Sequence, residues 1–340
     1  MEPAPQQEPL RPARRTVRRM LLAAGVVLAF LAVWYAIGRM TSPLRAARSF
    51  GPEGAPSAAP AATDRLRIGT YNIAHGRGLA DSNWAGRDRQ ASAERLRAIA
   101  GLLAEQRLDV VVLNEADFGS TWSRGVNQAE AIAREAGFPW RAEGRNIDVG
   151  MPFMALRFGN AVLSRFPIVE ARAVDYPARS GFEAAAAGKK RGLLCTLELP
   201  GGRRVRLLAV HLEHRDEPVR IASAAVIAGL AAEPGPPLIA AGDFNSMPEG
   251  WPRASRGAGG RTAISALLAD GRFSTALDTP PGEADFTFSS DRPRMVIDWI
   301  LAPPGHRITR QRALDSQLSD HRPVVAEIAL PGPTGSVGLR

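Results

Sequence analysis

The chain has 340 residues, of which 45% are hydrophobic and 23% charged, and this composition excludes a protein that is disordered throughout. Its net charge of +9 is weak evidence for a polyanionic partner, because eight arginines but only four acidic residues lie up to Asp64, and the rest carries a mild basic excess. The single cysteine, Cys195, excludes an intrachain disulfide and any Cys-based metal site, and its apolar neighbours predict a small buried core residue.

An uncharged apolar stretch near the N-terminus, residues 20–38, predicts a transmembrane anchor. As a helix it would be about 28 Å long, which is close to the hydrocarbon thickness of a bilayer. Five arginines precede it and three follow it closely, so we expect residues 1–19 to be cytoplasmic and the rest of the chain to lie outside the cytoplasm. The competing interpretation is a cleaved signal peptide. The expected location is therefore the cell membrane, with a single membrane pass.

Residues 39–64 are rich in Pro, Ala, Ser and Gly, and they predict a flexible linker. The folded domain is expected over residues 65–330, followed by a loose tail at 331–340. Within the domain, short apolar strands alternate with amphipathic helices, which predicts an α/β domain with hairpin and crossover connections. The strands are expected at 66–72, 110–113, 193–199, 205–212, 238–241, 296–301 and 323–330, and the helices around 96–103 and 219–231.

Several of these strands end in, or contain, polar residues that a hydrophobic core would reject. They are Asn72, Asn114, Glu115, His211, Asp243, Asn245, Asp298, Asp320 and His321. Taken singly, each is more typical of a turn or a helix cap. Taken together, polar groups at strand ends are what an open α/β active-site face requires.

The residue types indicate metal-assisted hydrolysis. Carboxylate and amide oxygens, here of Glu115, Asp320, Asp243, Asn72 and Asn245, are the ligands that Mg²⁺ prefers while it bridges to phosphate. Two imidazoles beside a phosphate suit general acid and base roles at neutral pH. A histidine acts better as a base when a buried carboxylate holds its other ring nitrogen. Asp298, in its apolar strand, is the natural partner for His321.

The remaining candidates carry less information. His75, His214 and His306 are expected to be structural or surface residues. The run Lys189-Lys190-Arg191 is typical of a solvated loop, and the alternative is that it contacts a substrate phosphate, chiefly through Arg191.

The ordered set of motifs resembles the endonuclease/exonuclease/phosphatase superfamily over residues 65–330. The motifs are Tyr71-Asn72-Ile73, Leu113-Asn114-Glu115, residues 159–164, His211-Leu212, Gly242-Asp243-Phe244-Asn245 followed by Ser246-Met247-Pro248, Thr287-Phe288, Ile297-Asp298-Trp299-Ile300 and Ser319-Asp320-His321-Arg322-Pro323. Two positions depart from the pattern. Asn114 replaces the usual glutamine, and Ser223 stands where the helix after the histidine motif often has a glutamine.

The resemblance implies a four-layer sandwich of two mixed β-sheets flanked by helices. It also implies Mg²⁺ (or Mn²⁺) as the cofactor. The implied metal ligands are Glu115, as the principal one, with Asp320 and Asn72.

The resemblance also implies roles for the other site residues. Asp243 and Asn245 would orient the attacking water and the phosphoryl oxygens. His321, paired with Asp298, would act as base, and His211 would protonate or stabilise the leaving oxygen. Asn160, in the mid-domain motif, is expected to bind substrate, as is Arg191.

The sequence therefore predicts a membrane-anchored, metal-dependent phosphoesterase that hydrolyses a phosphodiester. It leaves the substrate open between nucleic acid and a phospholipid-type headgroup, and between nuclease, phospholipase and phosphatase activity. The alternative from a different class is a catalytically silent, membrane-tethered binding domain of the same fold. No obligate protein partner is evident.

Overall fold

The computed structural model describes residues 12–41, 47–52, 63–85, 88–151, 153–181, 190–255, 259–277 and 279–331. The helices are α1 (Pro12–Thr41), α2 (Arg89–Glu105), α3 (Gln128–Ala136), α4 (Glu217–Ala232) and α5 (Ala263–Ala269). The strands are β1 (Arg48–Phe50), β2 (Arg65–Asn72), β3 (Val110–Asp117), β4 (Trp140–Met151), β5 (Met154–Ser164), β6 (Ile168–Asp175), β7 (Arg191–Glu198), β8 (Arg204–His211), β9 (Leu238–Asp243), β10 (Asp298–Leu301), β11 (Arg307–Ala313) and β12 (Val324–Ala329).

The strands form two mixed sheets. The first has seven strands in the order β1-β4-β5-β3-β2-β12-β11, and the second has five in the order β10-β9-β8-β7-β6. The neighbours β2 and β3 are parallel, as are β8 and β9, whereas the other pairs are antiparallel. The predicted strands and helices are all present within these elements, with shifts of a few residues at their ends.

The core lies in three layers of apolar side chains. One fills the space between the sheets, where residues such as Ile68 and Val110 of the first sheet meet Leu207 and Ile239 of the second. A second packs α2 and α3 on the outer face of the seven-stranded sheet. A third packs α4 and α5 on the outer face of the other sheet. The four-layer α/β sandwich predicted from the sequence is confirmed, and Cys195 is buried in the central layer.

The helix α1 contains the predicted anchor, and its stretch Arg15–Gly38 is long and apolar enough to cross a membrane. Residues 42–46 and 53–62 of the predicted linker lie outside the described residues. So do residues 1–11 of the N-terminus and residues 332–340 of the predicted tail. The short strand β1 lies inside the predicted linker and pairs with β4. The Arg141 guanidinium stacks on the Phe50 ring at 4.0 Å, which adds a side-chain contact to that pairing.

Candidate active site

The strand directions bring the predicted site residues to one end of the sandwich. The carboxyl ends of the parallel strands β2 and β3 meet there, with Asn72 opposite Asn114 in register. The carboxyl ends of β8 and β9 do the same in the second sheet, with His211 opposite Asp243. Because β10 runs antiparallel to β9, its first residue, Asp298, also lies opposite Asp243. The segment before β12 reaches the same end because β12 is antiparallel to β2.

Glu115 owes its position to an irregularity in β3. The pairing of β3 with β5 shifts register between Leu113 and Ala116, and Glu115 adopts a positive φ of 52°. Bulges and left-handed non-glycine residues of this kind redirect a side chain out of the strand's alternation, at a cost in backbone strain. The carboxylate of Glu115 is consequently available at the end of the strand instead of inside the core.

Gly242 sets the backbone of the loop that follows β9. Its φ is +145°, and a Cβ built there would lie 1.9 Å from the carbonyl oxygen of Val210. Only glycine tolerates both that conformation and that close approach of β8 and β9. This packing places Asp243 directly beside His211, with 3.6 Å between Asp243 Oδ2 and His211 Nε2.

Asp243 is the centre of the hydrogen-bond network. Its Oδ2 accepts from Asn72 Nδ2 at 3.1 Å, and its Oδ1 accepts from the backbone N–H of Asn245 at 2.9 Å. Its own N–H donates to Asn114 Oδ1 at 3.0 Å, which ties β9 of one sheet to β3 of the other. Burial raises the pKa of Asp243, and the positive charge of His321 opposes that rise.

Asp298 and His321 form a buried pair. His321 Nδ1 lies 2.9 Å from Asp298 Oδ2, and His321 Nε2 lies 3.9 Å from Asp243 Oδ2. The Thr287 hydroxyl accepts from the N–H of Asp298 at 3.3 Å, so the Thr287-Phe288 motif helps to place the carboxylate. Burial alone lowers the pKa of His321, but the carboxylates of Asp298, Asp243 and Asp320 outweigh it and raise the pKa to about 10.

The same three buried residues, Asp243, Asp298 and His321, place one possible metal-ligand atom each within 4.8 Å of one another. The His321–Asp298 hydrogen bond accounts for most of this closeness. We therefore interpret the group as a charge-paired base assembly, separate from the carboxylates described next.

His211 has the opposite electrostatic character to His321. It is buried, and Lys190 Nζ lies 2.5 Å from its Nε2. Burial lowers the pKa of His211 well below its ordinary value, and the positive charge of Lys190 adds to the effect. His211 Nε2 is also 3.6 Å from Glu115 Oε1, so this imidazole lies between the carboxylates of the two sheets.

The donor set fits a hard divalent cation. Glu115 and Asp320 share one guanidinium, with Arg77 Nη1 3.6 Å from Glu115 Oε2 and Arg77 Nη2 2.6 Å from Asp320 Oδ2. The two carboxylates therefore converge on a position where a positive charge is stabilised, and both keep partial contact with solvent. Asn72 lies beside them. Its side-chain oxygen accepts from the N–H of Ala74, and its backbone carbonyl accepts from the Ser319 hydroxyl, whose oxygen is 3.2 Å from Asp320 Oδ1.

The charge state of Glu115 supports the same conclusion. Burial raises its pKa, but the positive charges of Lys190, His75 and the site histidines more than offset that effect, so the pKa lies well below the ordinary range. The surrounding positive charge therefore favours the ionised form of Glu115, which is the form that binds a hard cation.

The two residues that were predicted to bind substrate, Asn160 and Arg191, make contacts within the protein. Asn160 accepts from Asn114 Nδ2 at 2.9 Å and donates to the carbonyl of Arg191 at 2.6 Å, so its amide is engaged within the protein. The Arg191 guanidinium donates to Asp175 at 2.6 Å and is largely buried. Their roles in substrate binding stay predictions.

Two basic residues at the site, His75 and Arg77, were not predicted as functional, and Lys190 was predicted only as part of the run that, in the alternative interpretation, contacts a substrate phosphate. His75, interpreted from the sequence as structural or surface, is buried, with its Nε2 3.4 Å from Glu115 Oε2 and its Nδ1 2.8 Å from Asp117 Oδ1. Arg77 and Lys190 lie on loops, and both face Glu115. His75 and Arg77 follow a motif strand within five residues of Asn72, and that proximity is the one sequence signal that points to them. His214 is half-exposed, as expected.

Comparisons with known proteins agree with this architecture. No curated protein matches the chain in sequence. Among solved structures, an endonuclease/exonuclease/phosphatase from Beutenbergia cavernae is 23% identical, with a TM-score of 0.59 over 79% of this chain and 72% of its own. A Bacteroides thetaiotaomicron mannosyl-6-phosphatase is 15% identical, with a TM-score of 0.55 over 77% and 99% of the two chains. The D. rerio TDP2 complex with a single-strand DNA product is 16% identical, with a TM-score of 0.54 over 78% and 99%.

These similarities to solved structures establish the fold. The sequence pattern of the Endonuclease/Exonuclease/phosphatase family matches residues 69–321, which contain every residue of the site described above. This protein belongs to the endonuclease/exonuclease/phosphatase family.

Proposed function

We propose that the protein is a metal-dependent phosphoesterase that hydrolyses a phosphodiester by attack of water. The single observation that carries the proposal is the convergence of the Glu115 and Asp320 carboxylates on one cationic position, beside the Asp298–His321 pair. Family members are phosphoester hydrolases that generally use divalent metals. Mg²⁺ or Mn²⁺ is the cation that we assign to Glu115, Asp320 and Asn72.

The chain's own residues supply the proton transfers. In its neutral form, His321 would take a proton at Nε2 from the attacking water while Asp298 holds its Nδ1–H, and Asp243 and Asn245 would orient the water and the phosphoryl oxygens. His211, with Lys190 beside it, protonates or stabilises the leaving oxygen. The bound cation would supply charge neutralisation at the phosphoryl oxygens, and by offsetting the charge of Asp320 it would lower the raised pKa of His321.

The experiment measures the rate at which the full chain in detergent hydrolyses bis(p-nitrophenyl) phosphate. The rate is measured with Mg²⁺ or Mn²⁺ and again after EDTA is added. We expect turnover that needs the cation, that EDTA abolishes and that returns when excess metal is added. Absence of metal-dependent turnover with either cation would contradict the proposal and favour the alternative of a silent binding domain.

We also propose that α1 is a retained anchor, with residues 1–19 cytoplasmic, the span at 20–38, a linker at 39–64 and the catalytic domain at 65–330 outside the cytoplasm. The apolar character of Arg15–Gly38 and the excess of arginines before it support this topology. The domain would then meet phosphate esters outside the cytoplasm or at the membrane surface. A mannosyl-6-phosphatase and a TDP2 that was solved with a single-strand DNA product both share its fold, so the fold leaves that choice open.

A further inference from the structure

An aromatic cluster adjoins the proposed metal site. The indole rings of Trp84 and Trp122 meet edge to face with centroids 5.7 Å apart, and Trp122 packs against Phe158 at 5.6 Å. The His75 ring contacts both Trp122, at 5.5 Å, and Phe158, at 4.9 Å. Trp84 is the outermost member, with 58% of its surface exposed, which is unusual for the largest apolar side chain.

Two chains of contacts fix this cluster to the reacting centre. Trp122 Nε1 donates to Asp117 Oδ2 at 2.8 Å, and the other oxygen of Asp117 holds His75 Nδ1, whose Nε2 faces Glu115. A single residue, His75, therefore connects the cluster to Glu115, a proposed metal ligand.

The second chain starts beside Trp84. The side chain of Asn83 accepts from Arg77 Nη1 at 3.4 Å, and Arg77 contacts both Glu115 and Asp320. A group stacked on the exposed ring of Trp84 would therefore lie beside Asn83 and Arg77, and Arg77 contacts both proposed metal ligands.

The space beside the indoles is a cavity of about 210 Å³, lined by Asn83, Trp84, Thr121, Trp122 and Arg124. Its lining supplies two indole rings, an amide, a hydroxyl and a guanidinium. A flat heteroaromatic ring with hydrogen-bonding edges fits this combination, because stacking uses the indole faces and the polar groups meet the ring edge.

A second cavity, of about 290 Å³, continues from Arg124 between α2 and α3. Besides Arg124, its lining includes the exposed side chains of Arg89, Arg97 and Arg134, with Glu135 as the one acidic residue. None of the other described residues forms an ion pair with Arg89, Arg97 or Arg134. The cavity therefore presents positive charge suited to a further phosphate of an extended polyanion.

Resting on the proposed function, we propose that the substrate is single-stranded nucleic acid. One base stacks on the Trp84–Trp122 platform next to the scissile phosphate, and the backbone continues over the arginine-lined cavity. The positive charge of Arg89, Arg97 and Arg134 in the second cavity favours this ligand over a quaternary ammonium headgroup. An aromatic site can bind such a headgroup, but the flanking arginines would repel it.

The test is binding of a short fluorescent oligothymidylate to the full chain in detergent, measured by anisotropy in EDTA so that no turnover occurs. Trp84→Ala should weaken binding about tenfold, which is the size expected for loss of one stacked base. Trp84→Phe should restore most of the affinity because a ring is retained. Arg97→Ala combined with Arg134→Ala should weaken binding and reduce its dependence on salt.

The matched control is Arg310→Ala, an arginine that lines a cavity of similar size, about 280 Å³, at the far edge of the seven-stranded sheet. It should leave oligothymidylate binding unchanged. Equal affinity of the wild type and Trp84→Ala, or equal losses in Arg310→Ala and the double variant, would overturn the inference.

Measurements of turnover distinguish a failure of this inference from a failure of the proposed function. Metal-dependent hydrolysis of a ring-free glycerophosphodiester by a protein that binds no oligothymidylate would overturn the inference and leave the phosphoesterase in place. Oligothymidylate binding that depends on Trp84, in a protein with no metal-dependent hydrolysis of any diester, would support the base-binding site at Trp84 and Trp122 and would contradict the proposed phosphoesterase activity.

Discussion

At the scale of single residues, His321 carries the proposed proton transfer and Asp243 orients the attacking water. We expect His321→Ala and Asp243→Ala each to lower the rate of bis(p-nitrophenyl) phosphate hydrolysis at least about 100-fold, as loss of a positioned acid or base does. The matched control is His214→Ala, a half-exposed histidine that pairs with Glu213, and it should keep the wild-type rate. Near wild-type rates in both site variants would refute the assigned roles.

The charge on Asp298 controls His321. Because this carboxylate raises the pKa of His321, Asp298→Asn should lower that pKa by about 1 to 3 while it keeps a hydrogen-bond acceptor in place. A histidine-ring NMR titration in EDTA measures the change. Asp315→Asn, at an exposed carboxylate that pairs with Arg322, should leave the titration unaltered. An unshifted His321 in Asp298→Asn would mean that the pair does not set its protonation.

Four of the site residues that the sequence predicted have one property in common. Asn72, Glu115, His211 and Asp243 each follow an apolar run at or near the end of a strand, and a polar group in such a place stands out against its neighbours. The sequence marked Lys190 only as one member of a basic run that is typical of a solvated loop, and only the folded chain shows that it faces His211. Side chains that reach a site from loops depend on tertiary structure that local patterns do not encode.

At the scale of elements, the β8–β9 pair is held close by Gly242. We expect Gly242→Ala to destabilise the fold by about 3 kcal/mol, because the added Cβ would overlap the Val210 carbonyl and the residue would keep an unfavourable φ. Urea unfolding of the full chain in detergent measures the loss.

The control for this substitution is Gly229→Ala. Gly229 lies on an exposed position of α4 with open space around its Cα, so the change should stabilise the protein by about 0.5–1 kcal/mol. A Gly242→Ala protein as stable as the wild type would show that the two strands tolerate a wider spacing.

Elements differ in how well the sequence predicts them. Central strands such as β3 and β9 are apolar on both faces, so their runs are easily recognised. The edge strands β6 and β11 expose many of their residues, and their patterns resemble loops. Helix α3 did carry a signal that was missed, since Asn127 caps its start and Gly137 ends it in the left-handed conformation.

At the scale of the whole molecule, the position of α1 decides which substrates the domain meets. A reporter active only outside the cytoplasm, fused after Asp64, should give signal because the arginines before residue 20 hold the N-terminus inside. A reporter active only in the cytoplasm should stay silent at the same junction. The reverse pair of results would overturn the topology.

The central claim is that Glu115 and Asp320 hold the divalent cation on which hydrolysis depends. Calorimetric titration of the full chain with Mn²⁺, on the wild type and on Glu115→Gln and Asp320→Asn, tests it most directly. We expect the wild type to bind Mn²⁺, and Glu115→Gln to lose about tenfold or more in affinity, with Asp320→Asn also weakened. Mn²⁺ binding that is unchanged in both variants would contradict the account.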